Sequence, residues 1–164
     1  MPTPLRYAPS VHRITLLCVG RINADWIAEG CRDYIKRLKR FALVDVHEVA
    51  AGKERDPERQ RKDETLRLLS AMAKHEGDSI VLDEKGERMT SQEFAAFLRK
   101  IFDAGTPAEF VIGGAYGLSD DVRKAARKVI RLSDMTLPHE LCRAVFLEQL
   151  YRAIEIIKGS GYHH

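Results

Sequence analysis

The segment Ala108-Glu109-Phe110-Val111-Ile112-Gly113-Gly114-Ala115-Tyr116-Gly117-Leu118-Ser119 decides how the chain is read. Residues 108–112 form a short apolar run without the regular alternation of a half-exposed strand, which predicts a strand buried on both faces. Two glycines end the run. Backbone without Cβ lets a ligand approach the main chain, and Ser119 or Asp120 then caps a helix whose N-terminus lies just beyond. In open parallel sheets ligands bind beyond the carboxyl ends of the strands, so residues 113–117 are a candidate site. The pattern is GGxxG after a fourth strand, not GxGxxG after a first, and the same residues suit a ligand-free tight turn.

Upstream the pattern recurs. Residues 14–19 are a buried strand closed by Gly20, and Asn23 is placed to N-cap a helix carrying Ile27, Cys31, Tyr34, Ile35 and Leu38 at helical spacing. Residues 43–49 predict a second strand, and Asp56-Pro57 starts a charged helix with Leu66, Leu69, Met72 and Ala73 as its apolar face. Residues 79–82 are a third strand, and Thr90 with Glu93 makes a capping box for a helix stopped by Gly105. Downstream, residues 129–132 are a fifth strand and Pro138 opens a long helix to about Lys158. Strands alternating with helices predict an α/β fold, a mainly parallel sheet with helices on both faces. The last helix is apolar over a wide arc, with Cys142, Phe146, Leu147, Leu150, Ala153, Ile154 and Ile157. Such an arc serves either a second subunit or a central position in the core.

At 164 residues the chain fits one domain, and 45% apolar with 31% charged residues is a globular balance. Three widely spaced cysteines, Cys18, Cys31 and Cys142, make neither a closed disulfide set nor a CxxC metal site. Without an apolar segment of membrane length or a signal-peptide core, the expectation is cytoplasmic. A net charge of +3 identifies no partner. Locally, Arg32, Lys36, Arg37, Lys39 and Arg40 surround Asp33, and Arg123, Lys124, Arg127, Lys128 and Arg131 run without an acid. If the second run is helical it forms a basic stripe, suited to phosphates or simply to solvent. His139-Glu140-Leu141-Cys142-Arg143 starts like a zinc-protease helix, but Arg143 stands where the second histidine is needed, so no metal is expected. His139 at the start of the last helix suits either a structural hydrogen bond or catalysis, and His163-His164 read by themselves are a loose tail.

Phe110-Val111-Ile112-Gly113-Gly114 with Gly117-Leu118, then residues 132–139 (Leu-Ser-Asp-Met-Thr-Leu-Pro-His), then Glu148-Gln149-Leu150-Tyr151-Arg152-Ala153 and Tyr162-His163, together with the Ala51-Gly52-Lys53 turn, resemble one family. It is the ribosomal large subunit pseudouridine methyltransferase H family of the SPOUT superfamily. The likeness runs from about Ile14 to the end, making residues 14–164 one SPOUT domain and residues 1–13 an N-terminal extension. The resemblance implies a C-terminal trefoil knot, an exception to the rule against threaded chains. It also implies a homodimer whose active sites borrow residues from both subunits.

The activity implied is transfer of a methyl group from S-adenosylmethionine to N3 of a pseudouridine in a hairpin loop of 23S ribosomal RNA, within assembled ribosomes. The implied donor contacts are Leu82, Gly113 and Leu132, Ser133, Asp134, Met135, Thr136 and Leu137, mostly small or apolar residues that would bind through backbone groups and apolar walls. No metal is needed, but the acceptor nitrogen must lose a proton. His163 is the candidate base, with Tyr162 on the pseudouridine, Arg143 and Arg152 on phosphate or developing charge, and His139 nearby. Family members commonly end in Tyr-His followed by Arg or Lys, whereas this chain ends in His164. Two other readings stay open: a ribosome-associated binding protein on the same fold, and a nucleotide-dependent oxidoreductase in which Asp134 holds a ribose.

Overall fold

A computed structural model describes residues 11–161. Five strands form one sheet in the order β2-β1-β4-β3-β5, with every neighbouring pair parallel. The strands are β1 (His12–Val19), β2 (Ala42–Val49), β3 (Asp78–Arg88), β4 (Ala108–Ile112) and β5 (Lys128–Arg131). The helices are α1 (Asp25–Leu38), α2 (Pro57–Ala73), α3 (Ser91–Ala104), α4 (Asp120–Ala125) and α5 (His139–Lys158). The α/β architecture expected from the sequence is therefore present.

Side-chain alternation along the strands divides the core between the two faces. Ile14, Leu16, Cys18, Ile80, Leu82, Phe110 and Ile112 pack under α1, α3 and α5, where Phe146 lies 4.6 Å from Phe110, ring centre to ring centre. Leu17, Val19, Val81 and Val111 face the other way, onto Leu68, Met72, Leu118 and Val122 of α2, α4 and the loop before α4. Helix α5 packs between α1 and α3. That central placement accounts for much of its wide apolar arc, with Phe146, Leu147, Leu150, Ala153 and Ile154 all buried within the chain.

Four local expectations are corrected. Asn23 does not cap α1 with its own side chain. The N-cap is Ala24, and the Glu140 carboxylate on α5 accepts from the amides of Asn23 (3.0 Å) and Ala24 (3.1 Å) and from Asn23 Nδ2 (3.1 Å). A distant carboxylate thus serves the orphan donors of a helix start. The buried face of α2 is not the leucine row expected: Leu66 and Ala73 are exposed, and Glu64, Thr65, Leu68 and Met72 are buried. Periodicity misses it because two of the inward positions are polar and hydrogen-bonded. Strand β3 runs six residues beyond Leu82, through an irregularity at residues 82–87 that lets Glu87 and Arg88 pair with β5. By sequence this strand ends at Leu82. Gly86 brings two backbones together, since a Cβ there would lie 2.5 Å from the Ile130 carbonyl carbon.

The fourth correction concerns charge. Helix α4 ends at Ala125, so Arg123, Lys124, Arg127 and Lys128 do not share a helical stripe. Arg123 pairs with Asp83 and Asp120, Arg127 with Asp78, Lys128 with Glu87, and Arg131 with Asp134. Most of that cluster is neutralised within the fold.

Candidate active site

Parallel registers set the carboxyl ends of the inner strands side by side: Ile112 is level with Cys18 on one side and Leu82 on the other, and Leu82 with Ile130. Beyond this edge lies a cavity of about 1070 Å³. Its walls are residues 82–85, 112–120, 131–133 and 135–139, with Arg61, Arg123 and Cys142. These are segments after β3, β4 and β5 and the start of α5, the place a parallel sheet reserves for ligands.

The glycine loop is shaped from beneath. A Cβ on Gly113 would lie 2.8 Å from the Leu118 side chain, and one on Gly114 would lie 2.7 Å from Glu64 Oε2. Gly117 has φ +75°, and its amide donates to Gly114 O at 3.1 Å, closing the turn. The tight-turn reading is thus correct for the backbone, while the loop's outer surface still faces the cavity. Glu64 is 2% exposed; its Oε1 accepts from Gly52 N and Gln60 Nε2, and Oε2 has no partner among the described residues. Thr65 Oγ1 lies 2.9 Å from Ser119 Oγ, which accepts from Val122 N and caps α4. Helix α2 therefore braces the loop directly.

Arg123 closes the next wall. It donates to Asp83 Oδ2 (3.0 Å), to Leu118 O (2.9 Å) and to Asp120 Oδ1 (2.7 Å), joining the end of β3 to the glycine loop. Hydrogen bonding from Arg123 holds the Asp120 carboxyl below the usual carboxylate range. Burial raises the Cys142 thiol above its ordinary value, so this cavity-lining residue is a weak nucleophile.

Of the residues named from sequence, Leu82, Gly113, Leu132, Ser133, Met135, Thr136, Leu137 and His139 all line this cavity. Asp134 does not. Its carboxylate pairs with Arg88 and lies 3.4 Å from Arg131 Nε, so a ribose-binding role for that side chain is lost. Arg143 is also corrected. It is 2% exposed and its guanidinium donates to Val19 O (3.0 Å) and Gly20 O (2.6 Å), with Glu48 at 3.5 Å. Those contacts tie α5 to the end of β1, one turn past the point where Glu140 ties it to the start of α1. Buried to this extent and absent from the cavity walls, the guanidinium is placed as a tie between α5 and β1, not as a contact for phosphate. Arg152 lies on α5 away from the cavity walls and bonds the Glu148 carboxylate at 2.7 Å and 3.0 Å. Tyr162 and His163 lie outside the described residues. Sequence reasoning missed Arg123, Glu64 and Arg61. The acids Asp83 and Asp120, each at the end of a predicted element, were the available signal for the first, and a glutamate on the inward face of α2 for the second.

Comparison with known proteins places this geometry. The family described as "Predicted SPOUT methyltransferase" matches residues 12–163. Ribosomal RNA large subunit methyltransferase H of Geobacter sp. (strain M21) is 42% identical over 153 residues, covering 93% of this chain and 99% of that protein. The protein of the same name from Desulfovibrio desulfuricans is 42% identical over 150 residues, covering 90% and 95%. Among solved structures, a probable methyltransferase from Bordetella pertussis superposes with a TM-score of 0.54 at 12% identity, covering 88% of this chain and 96% of that one. At that identity the last likeness speaks for the fold alone. Matches of this extent and identity establish that the chain belongs to the SPOUT methyltransferase family, with the ribosomal RNA large subunit methyltransferase H proteins as its relatives.

Proposed function

We propose that this protein transfers a methyl group from S-adenosylmethionine to N3 of a pseudouridine in a hairpin loop of 23S ribosomal RNA, acting on assembled ribosomes. The observation that carries the reading is the cavity. Its walls bring together the third-strand end, the glycine loop and residues 131–139, which are far apart in sequence. The residues present fit the donor. Leu82, Ile112, Leu132 and Leu137 offer apolar surface for a purine and a thioether chain, and Glu84 offers a carboxylate for an ammonium, Asp83 and Asp120 being engaged by Arg123. When bound, the donor supplies a methyl group activated by its positive sulfur.

The chain's own work is then alignment, exclusion of water and handling of one proton. Leu82, Gly113 and residues 132–137 hold the donor, Asp134 through its backbone only. His139 stands at the cavity wall, and His163 is the candidate to take the N3 proton with Tyr162 against the base. Arg152 contributes charge to a neighbouring subunit's site. Support for the homodimer is the partly exposed apolar remainder of α5, including Leu141, Cys142 and Val145. In this reading residues 14–164 form one knotted domain, residues 1–13 an extension, and the enzyme is cytoplasmic.

Calorimetric titration with S-adenosylmethionine tests the reading, paired with label transfer to ribosomes lacking the modification. Binding that Gly113→Val abolishes, with label appearing in pseudouridine, is expected. Absence of donor binding by the folded wild-type protein contradicts it.

A further inference from the structure

We propose that Glu64, buried behind the glycine loop, sets the cavity's preference for the cationic methyl donor over the neutral product, so that transfer itself loosens what the cavity holds. The inference rests on the function proposed above and gives a role to a residue that the cavity walls do not include. Glu64 is 2% exposed, yet it enters no ion pair among the described residues. The arginines beside it on α2 are taken by other acids, Arg61 by Glu58 at 3.2 Å and Arg67 by Asp63 at 2.8 Å. A carboxylate buried without a cation lowers stability, and such groups are concentrated at functional sites.

The free oxygen is aimed at the cavity. Oε1 accepts from Gly52 N and from Gln60 Nε2, each at 3.0 Å, and two donors on one oxygen suit an ionised carboxylate. Oε2 has no hydrogen-bond partner among the described residues and lies 2.7 Å from where a Cβ on Gly114 would stand. Gly114 lines the cavity, so the backbone of one glycine separates that oxygen from the ligand's space. Other carboxylates at this edge are already matched or wet: Asp83 and Asp120 pair with Arg123, and exposed Glu84 is screened by solvent. Buried Glu64 is screened far less.

Donor and product differ at one atom. In the transfer the sulfur–methyl bond breaks and its electron pair stays on sulfur, the methyl bonds to N3, and the N3 proton leaves. The ligand in the cavity thereby changes from a sulfonium to a neutral thioether, with its purine, ribose and amino-acid ends unaltered. Apolar walls and backbone hydrogen bonds treat the two forms alike. A fixed negative charge does not, because it attracts the sulfonium and is indifferent to the thioether.

The test is calorimetry on the full-length protein with S-adenosylmethionine, S-adenosylhomocysteine and the analogue carrying an ammonium group in place of the sulfonium. The wild type should bind the two ligands charged at that position more tightly than the thioether. Glu64→Gln keeps the side chain's shape and an acceptor for Gly52 N. It should weaken both of those ligands by roughly tenfold, the size of the interaction between unit charges about 10 Å apart at an effective dielectric of about 20, and leave thioether affinity unchanged. In steady-state transfer its product inhibition should strengthen relative to KM for the donor. Equal weakening of all three ligands makes Glu64 a brace only and overturns the proposal, as does an unchanged preference. If that variant does not fold, the wild type still decides, since an ammonium analogue bound no better than the thioether overturns it. Wild-type protein that binds neither donor nor product contradicts the functional reading itself; wild type that binds both equally contradicts this inference alone.

Discussion

Replacing Arg143 by Met separates a structural from a catalytic role. The guanidinium is buried and bonds Val19 O and Gly20 O at 3.0 and 2.6 Å, and methionine fills a similar volume without donors. Hydrogen bonds from a charged donor contribute about 1.5–3 kcal/mol each, and two carbonyls left unsatisfied in the interior cost about 1–3 kcal/mol apiece. Relief of the buried charge offsets part of this, so a net loss of about 3 kcal/mol is expected. For a chain of this size that lowers Tm by roughly 6–12 °C. Thermal and urea unfolding measure the loss, and methyl transfer assayed well below the variant's Tm should stay within about threefold of wild type, since a structural residue acts through the folded fraction. A Met variant of unchanged stability whose transfer falls by orders of magnitude would refute this reasoning and return Arg143 to the reaction.

Further outcomes follow from the same geometry. Backbone hydrogen bonds from Ala24 and Asn23 hold the Glu140 carboxyl below its ordinary value. A depressed carboxyl stabilises the fold above its unfolded pKa, and that contribution fades as pH falls through the lower folded value. The wild type should therefore lose an acid-dependent increment of stability that Glu140→Gln lacks, as urea midpoints between about pH 2 and 5 will show. Gly114→Ala forces a methyl to within 2.7 Å of Glu64 Oε2 and should cost about 1–3 kcal/mol while weakening donor binding, read by thermal shift and calorimetry. Phe146→Ala empties the centre of the aromatic cluster and should cost about 3–5 kcal/mol in urea unfolding. Burial pushes the Cys18 thiol up to about 12, so alkylation of native protein at neutral pH should spare it and reach it only on unfolding, as peptide mass mapping would report.

The parallel sheet was legible because buried strands such as residues 14–19 and 108–112 carry their own signature, and the capping box at Thr90 and Glu93 marks α3 to the residue. Leu82, Gly113 and Leu132 were legible as a site through resemblance, and the fold places them on one cavity. What escaped the sequence depends on distant partners. Glu140 caps a helix 116 residues away, and Arg143 bonds a carbonyl 124 residues away, so neither pairing leaves a local trace. The same is true of the basic run at residues 123–131, whose neutralising acids lie on β3 and the loops beside it. Inward-facing Glu64 and Thr65 disguised the buried side of α2 because their burial depends on hydrogen bonds made by other segments.

The most direct measurement is mass spectrometry of 23S ribosomal RNA from cells with and without the gene, complemented by the wild type or by Gly113→Val. The account predicts one methylated pseudouridine that disappears with the gene, returns with the wild type and does not return with the cavity variant. An unchanged modification profile in its absence would contradict it.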